Sequence, residues 1–338
     1  MKHISETTRR EFVAGAAVAI AGAGAAQAQG GAIPKRPLGK TGLQVSAIGL
    51  GGFHIGSAET DEMGARIVHE AIDNGINFID NAWEYHKGVS EERIGKALVG
   101  KRDQVILMTK VCTHGRDKKV AMQQLEQSLI RLRTDHLDLW QIHEVVYDDD
   151  PDKIFAPGGA IEALDEAKKQ GKVRFTGFTG HKDPDIHLKM LAHGYPFDTV
   201  QMPLNILDTT YARSFEKLVL PKLVAAGIAP LGMKSLCGSA EPVKNGVYTA
   251  QEGLRYAMSV PGVAVTISGI DTLEVLRQNL EVAKGFTPFS KKEMAGLAER
   301  ARQYAADGRF ELFKSTKKYD GDLGRQQHGF PSAAELPV

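Results

Sequence analysis

Residues 105–143 read VILMTKVCTHGRDKKVAMQQLEQSLIRLRTDHLDLWQIH: an apolar run, an amphipathic helical stretch and a second apolar run. Between the runs at 105–111 and 137–143, Leu125, Leu129 and Leu132 fall on one face of a helix over 120–132. This is the signature of parallel strands joined by a crossover helix. Working outward, the unit recurs about every thirty residues. Strands are expected at 45–51, 78–81, 105–111, 137–143, 173–179, 199–205, 227–233 and 263–269. In another helix, 161–169, Ile161, Leu164 and Lys168 share a face. Eight such units favour a closed (β/α)8 TIM barrel over an open sheet.

Turn chemistry agrees with this division. Asn74-Gly75, Gly100, Gln170-Gly171, His193-Gly194 and Ala226-Gly227 each set a glycine where a helix ends in a left-handed residue. The last unit closes near Gly285, and 290–307 reads as an additional C-terminal helix. The tail from Arg309 has no periodicity, so it is either a wrap over the barrel or disordered. The resulting division is a leader over 1–28, a barrel over 29–308 and a tail over 309–338.

Composition narrows the function. The 338 residues are 42% hydrophobic and 25% charged, an ordinary globular balance. Lys plus Arg (42) and Asp plus Glu (41) nearly cancel, leaving no basic face for a nucleic-acid backbone. Cys112 and Cys237 are the only cysteines, which excludes a disulfide scaffold and a Cys-rich zinc site. One bridge or two separate thiols both fit, and the burial habit of free Cys favours the thiols. At the N-terminus, Thr8-Arg9-Arg10-Glu11-Phe12 precedes a weakly apolar stretch over 13–26, and Ala26-Gln27-Ala28 is a small-x-small cleavage pattern. The stretch is shorter than the roughly 20 apolar residues that span a bilayer. Expected, therefore, is a cleaved twin-arginine signal, engagement of the twin-arginine export machinery, a periplasmic address and no stable membrane anchor.

In a barrel of this kind the informative polar residues stand at the C-terminal strand ends. Asp80 ends the second strand, Tyr85 follows in the next loop, Lys110 ends the third and His143 the fourth. A lysine ending an apolar strand is costly to bury unless paired, and Asp80 on the neighbouring strand is its natural partner. Beside a tyrosine, that pair suits carbonyl reduction. Hydride arrival builds negative charge on the carbonyl oxygen, and a phenol can quench it with a proton. Because a free phenol titrates near about 10, Lys110 is expected to bring Tyr85 toward neutrality, with Asp80 holding Lys110 and His143 orienting or polarising the substrate oxygen.

From about Arg36 to Gly285 the sequence resembles the aldo-keto reductase superfamily. The resemblance rests on Arg36-Pro37-Leu38-Gly39-Lys40-Thr41-Gly42 with Ile48-Gly49-Leu50-Gly51-Gly52, on Phe78-Ile79-Asp80-Asn81-Ala82 with Tyr85, on Met108-Thr109-Lys110, and on Gln141-Ile142-His143. It implies catalytic Asp80, Tyr85, Lys110 and His143 and a bound NAD(P)H. For the cofactor it implies Gly52, Phe53, Gln201, Ser268, Gly269, Gln278 and Asn279. Some positions depart from the family: Thr179-Gly180 replaces a Ser-Asn pair, and Met233 followed by Lys234 stands where many members place an aromatic. Met233 can still pack on a ring, and Lys234 can reach a pyrophosphate. Asp271 stands near the adenosine strand, where a basic partner for a 2′-phosphate is usual. No Gly-x-Gly-x-x-Gly fingerprint supports a Rossmann domain.

Two other readings compete. His54, His86, His114, His143 and His181 fall at or after strands one to five, where a metal-dependent hydrolase could assemble its site, and His54 or His181 could instead contact substrate. The altered cofactor positions also allow a non-catalytic dinucleotide-binding subunit.

Overall fold

The computed structural model describes residues 31–337, and of Lys318 the backbone alone. Its frame is a closed barrel of eight parallel strands: β3 (Ile48–Gly51), β4 (Phe78–Asp80), β5 (Ile106–Val111), β6 (Leu137–Ile142), β7 (Val173–Thr179), β8 (Thr199–Pro203), β9 (Ala229–Met233) and β10 (Val265–Gly269). Closure comes from β10 pairing in parallel with β3, with Thr266 opposite Ile48. The eight expected units are all present. The run at 45–51 is divided, however: β1 (Lys35–Pro37) and β2 (Gln44–Ser46) form a separate antiparallel hairpin before β3. The break lies where Ser46 Oγ donates to Ile48 O at 2.6 Å and Ser46 N donates to Asn77 Oδ1 at 2.7 Å, turning the chain out of one ladder into the next.

Strand alternation builds two cores. Phe78, Ile106, Met108, Leu139, Leu231, Val265 and Ile267 fill the lumen, and Leu38 and Val45 of the hairpin belong to the same cluster. The alternate residues Ile79, Leu107, Val111, Trp140, Ile142, Phe178 and Val200 face outward to the helical layer, which includes Leu125, Leu129, Leu132, Ile161 and Leu164. Each such side chain contributes about 1.5–3 kcal/mol on burial. The helix Ala160–Lys169 corrects one expectation: its buried face is completed by Ala163 and Ala167, while Lys168 reaches out to Asp198 at 3.6 Å.

The expected glycine stops are realised. Gly75, Gly100, Gly171, Gly194 and Gly227 have φ of 97°, 75°, 73°, 70° and 69°, values at which a Cβ is strained. The additional helix is Lys291–Ala305, opened by a reciprocal Ser290/Glu293 capping box.

Between the two alternatives left for the tail, the structure has a wrap. Lys314 Nζ lies 2.6 Å from Asp208 Oδ1 and 2.8 Å from Glu311 Oε2, and Asn205 donates to Glu311 at 2.9 Å, all buried. Farther on, Asp320 accepts from Tyr147 at 2.6 Å, Gln124 donates to Gln327 at 2.6 Å and His328 meets Thr113. Most of its anchors are polar, with Phe313 a single buried aromatic among them, so the tail carries no hydrophobic periodicity.

Candidate active site

The same alternation that fills the lumen decides which polar side chains meet at its mouth. Two residues beyond Met108 on the lumen face comes Lys110; the equivalent steps from Phe78 and Leu231 reach Asp80 and Met233. Each is the last lumen position of its strand, where the apolar packing ends.

Lys110, 1% exposed, is the hub. Its ammonium pairs with Asp80, donates to Asn81 O at 2.7 Å, and lies 3.3 Å from Tyr85 Oη. The Tyr85 ring lies edge-on to Phe53 at 5.3 Å and to His143 at 5.6 Å. The following residues His86 and Lys87 have φ of 51° and 58°, a costly backbone held in part by the 2.8 Å contact of His86 Nε2 with Phe53 O. Gly52 is required by close approach: a Cβ there would lie 2.5 Å from Asp80 O. Sequence reasoning missed Glu84, whose Oε1 lies 2.9 Å from His143 Nδ1. Its position beside Tyr85 was the available signal.

Electrostatics correct one expectation. Burial pushes the Tyr85 phenol well above its usual value, and the negative charges of Asp80 and Glu84 push it further. Lys110 therefore does not bring the phenol toward neutrality in this site, because desolvation and the surrounding carboxylates outweigh it. Burial also lowers His143 well below the ordinary imidazole range, aided by Lys110, so His143 is neutral at pH 7. Burial raises Asp80 and lowers Lys110, each opposed by the charge of the other.

The remaining sequence candidates form two groups. Thr179, Gln201 and Met233 group beside Asp80: Gln201 hydrogen-bonds the Asp80 carboxyl, Thr179 is in register with Gln201, and Thr179 Oγ1 lies 4.0 Å from Met233 Sδ. Gln201 is buried, and its Oε1 has no hydrogen-bond partner among the described residues. The second group lies at the end of β10, where Asn279 donates to Ser268 at 3.0 Å, with Gly269, Asp271 and Gln278 following in the chain. Lys234, with φ of 56°, sets its ammonium 5.2 Å and 5.7 Å from the Phe313 and Tyr319 rings of the tail. Burial lowers its pKa to about 8. Arg277 is engaged elsewhere, with Glu70 at 2.8 and 3.1 Å.

The five histidines of the hydrolase reading do not converge. His54 and His86 pack on Phe53, His143 meets Glu84, His114 meets Glu144, and His181 faces Phe313, Tyr319 and Asp320 of the tail. Among the described residues, each cluster of potential metal ligands contains only one of them. Both cysteines are free and buried.

Residues 47–242 match the sequence family described as "Aldo/keto reductase family". The chain is similar to the L-galactose dehydrogenase of Arabidopsis thaliana, 33% identical over 65% of this chain and 68% of that protein. It is 27% identical to the oxidoreductase YqkF of Bacillus subtilis over 80% of this chain and 97% of that one. Among solved structures, an aldo/keto reductase from Klebsiella pneumoniae in complex with NADP and acetate superposes with a TM-score of 0.65. That match is at 25% identity and covers 80% of this chain and 95% of that one.

Proposed function

The chain belongs to the aldo/keto reductase family, and from that premise we propose the part each side chain plays. The protein is an NAD(P)-dependent oxidoreductase that interconverts a carbonyl and an alcohol by hydride transfer. A bound dinucleotide supplies or accepts the hydride. Tyr85 gives its proton to the carbonyl oxygen as charge builds there. It is protonated at neutral pH, the state from which it can donate. Lys110, 3.3 Å away, steadies the phenolate left behind, and Asp80 and Asn81 O fix the ammonium. Neutral His143 orients the substrate oxygen. The observation that carries this reading is the simultaneous reach of Lys110 to Asp80, Asn81 and Tyr85.

The residues present fit a nicotinamide group. Gln201 Oε1 is a buried acceptor without a partner, suited to a carboxamide N–H. Thr179 and Met233 would flank it, Gly52 and Phe53 would line the approach, and Lys234 would meet an anionic part of the dinucleotide. Ser268, Gly269, Gln278 and Asn279 would hold the adenosine end, with Asp271 beside the ribose. Because Arg277 is committed to Glu70, the expected preference is a modest one for NAD(H), or dual use. The leader, residues 1–28, lies outside the described residues. We propose from its sequence that it directs twin-arginine export to the periplasm. No helix among the described residues is long and apolar enough to cross a membrane.

The test is Tyr85→Phe. Turnover of a carbonyl substrate should fall at least ~10²-fold, the lower range for a positioned acid, with dinucleotide binding retained. Turnover close to that of the unmodified protein would remove Tyr85 from the role.

A further inference from the structure

Beside the Tyr85 pocket and under the tail lies a second convergence of reactive side chains, which hydride transfer does not use. Cys112 and His114 follow β5, Glu144 follows β6 and Glu84 precedes Tyr85. Cys112 Sγ lies 3.7 Å from His114 Nε2 and 3.9 Å from Glu144 Oε2, and His114 Nε2 lies 3.3 Å from Glu144 Oε2. All three residues are buried. A tetrahedral zinc-class ion has bonds of about 2.3 Å to sulfur and about 2.0–2.2 Å to nitrogen and oxygen. Its ligands therefore sit about 3.6 Å apart for S–N and S–O and about 3.4 Å for N–O. The separations in the protein depart from these by about 0.1–0.3 Å.

Glu84 borders this trio without joining it. A Glu84 carboxylate oxygen lies within 4.8 Å of both Cys112 Sγ and His143 Nδ1. Glu84 Oε2 and His143 Nδ1 are buried, and among the described residues neither has a hydrogen-bond partner of good geometry. The two carboxylates flank one point: a Cβ on Gly321 of the tail would lie 2.8 Å from Glu84 Oε2 and 3.1 Å from Glu144 Oε2. The backbone fixes the arrangement, since Glu144 and Arg116 have φ of 50° and 56°. Buried Arg116 holds that conformation by donating to His143 O at 2.7 Å and Glu144 O at 2.5 Å while pairing with Asp150 at 2.9 Å.

We propose that Cys112, His114 and Glu144 bind one divalent cation of the zinc class, with water at the fourth position. The ion ties the loops after β5 and β6 to one another beneath the tail. It takes no part in hydride transfer, and it stands independently of the roles given to Tyr85 and Lys110. The test uses the full chain, purified without chelator or polyhistidine tag. Elemental analysis should find about one equivalent of zinc-class metal, and Co2+ added after chelation should give tetrahedral visible bands with a thiolate-to-cobalt band in the near ultraviolet. Cys112→Ser should abolish the near-ultraviolet band, and His114→Gln should weaken Co2+ binding at least ~10²-fold. Should the Cys112 variant fail to fold, Cys237→Ser serves in its place: the band must survive it, because no other thiol remains. The proposal is overturned if the folded, dinucleotide-binding protein holds no metal and gives no Co2+ spectrum. It is equally overturned if the spectrum persists in Cys112→Ser or disappears in Cys237→Ser.

Discussion

Replacing Lys110 by Met separates the structural from the catalytic share of the Asp80–Lys110 pair. Met is close in shape but leaves Asp80, 4% exposed, without its counter-charge, and strips a donor from Asn81 O at 2.7 Å. Removing one partner of a buried ion pair typically costs about 3–5 kcal/mol. The variant can escape part of that cost by protonating Asp80, whose carboxyl burial already holds above its usual range. The sign follows from linkage. With a folded pKa above the unfolded value of about 3.9, the native state of the variant binds the extra proton, so its stability is greatest at low pH and falls as pH rises toward the folded pKa. The slope cannot exceed about 1.36 kcal/mol per pH unit. Chemical denaturation of the two proteins between pH 5 and pH 8 should show a gap that widens with pH. Adding Asp80→Asn should restore most of the stability and none of the turnover. A Lys110→Met variant as stable as the parent at both pH values, and no less active, would refute the pairing and the role built on it.

Because burial and Lys110 keep His143 neutral, kcat/KM for carbonyl reduction should show no acidic limb near the ordinary imidazole pKa; a limb there that vanishes in His143→Gln would contradict this. For the coenzyme, dissociation constants should favour NADH modestly or be alike. Tighter NADPH binding by ~10-fold, about 1.4 kcal/mol, would mean that a basic partner for the 2′-phosphate exists. Replacing Arg9 and Arg10 by Lys should leave uncleaved chain in the cytoplasm, and normal export of that variant, read by fractionation, would reject the twin-arginine route.

The sequence by itself determined the barrel and the four side chains at its mouth. Both are local signals: apolar runs and glycine stops repeat once per unit, and a polar residue at the last position of an otherwise apolar strand is conspicuous because burying it is costly. Asp80, Lys110 and His143 announce themselves in that way, and Tyr85 follows from its place in the next loop. Three things were decided only by the tertiary structure. The division of 45–51 depends on Asn77, thirty-one positions from Ser46, taking its amide. The tail is ordered through ion pairs and hydrogen bonds such as Lys314 to Asp208, and isolated polar residues leave no period to read. The protonation of Tyr85 turns on how much water its pocket excludes and on Asp80, Glu84 and Glu144, the last of these brought in from the loop after β6. Sequence shows which charges a chain carries; their balance at one atom is set by distances across the barrel, and here that balance opposes what Lys110 alone implied.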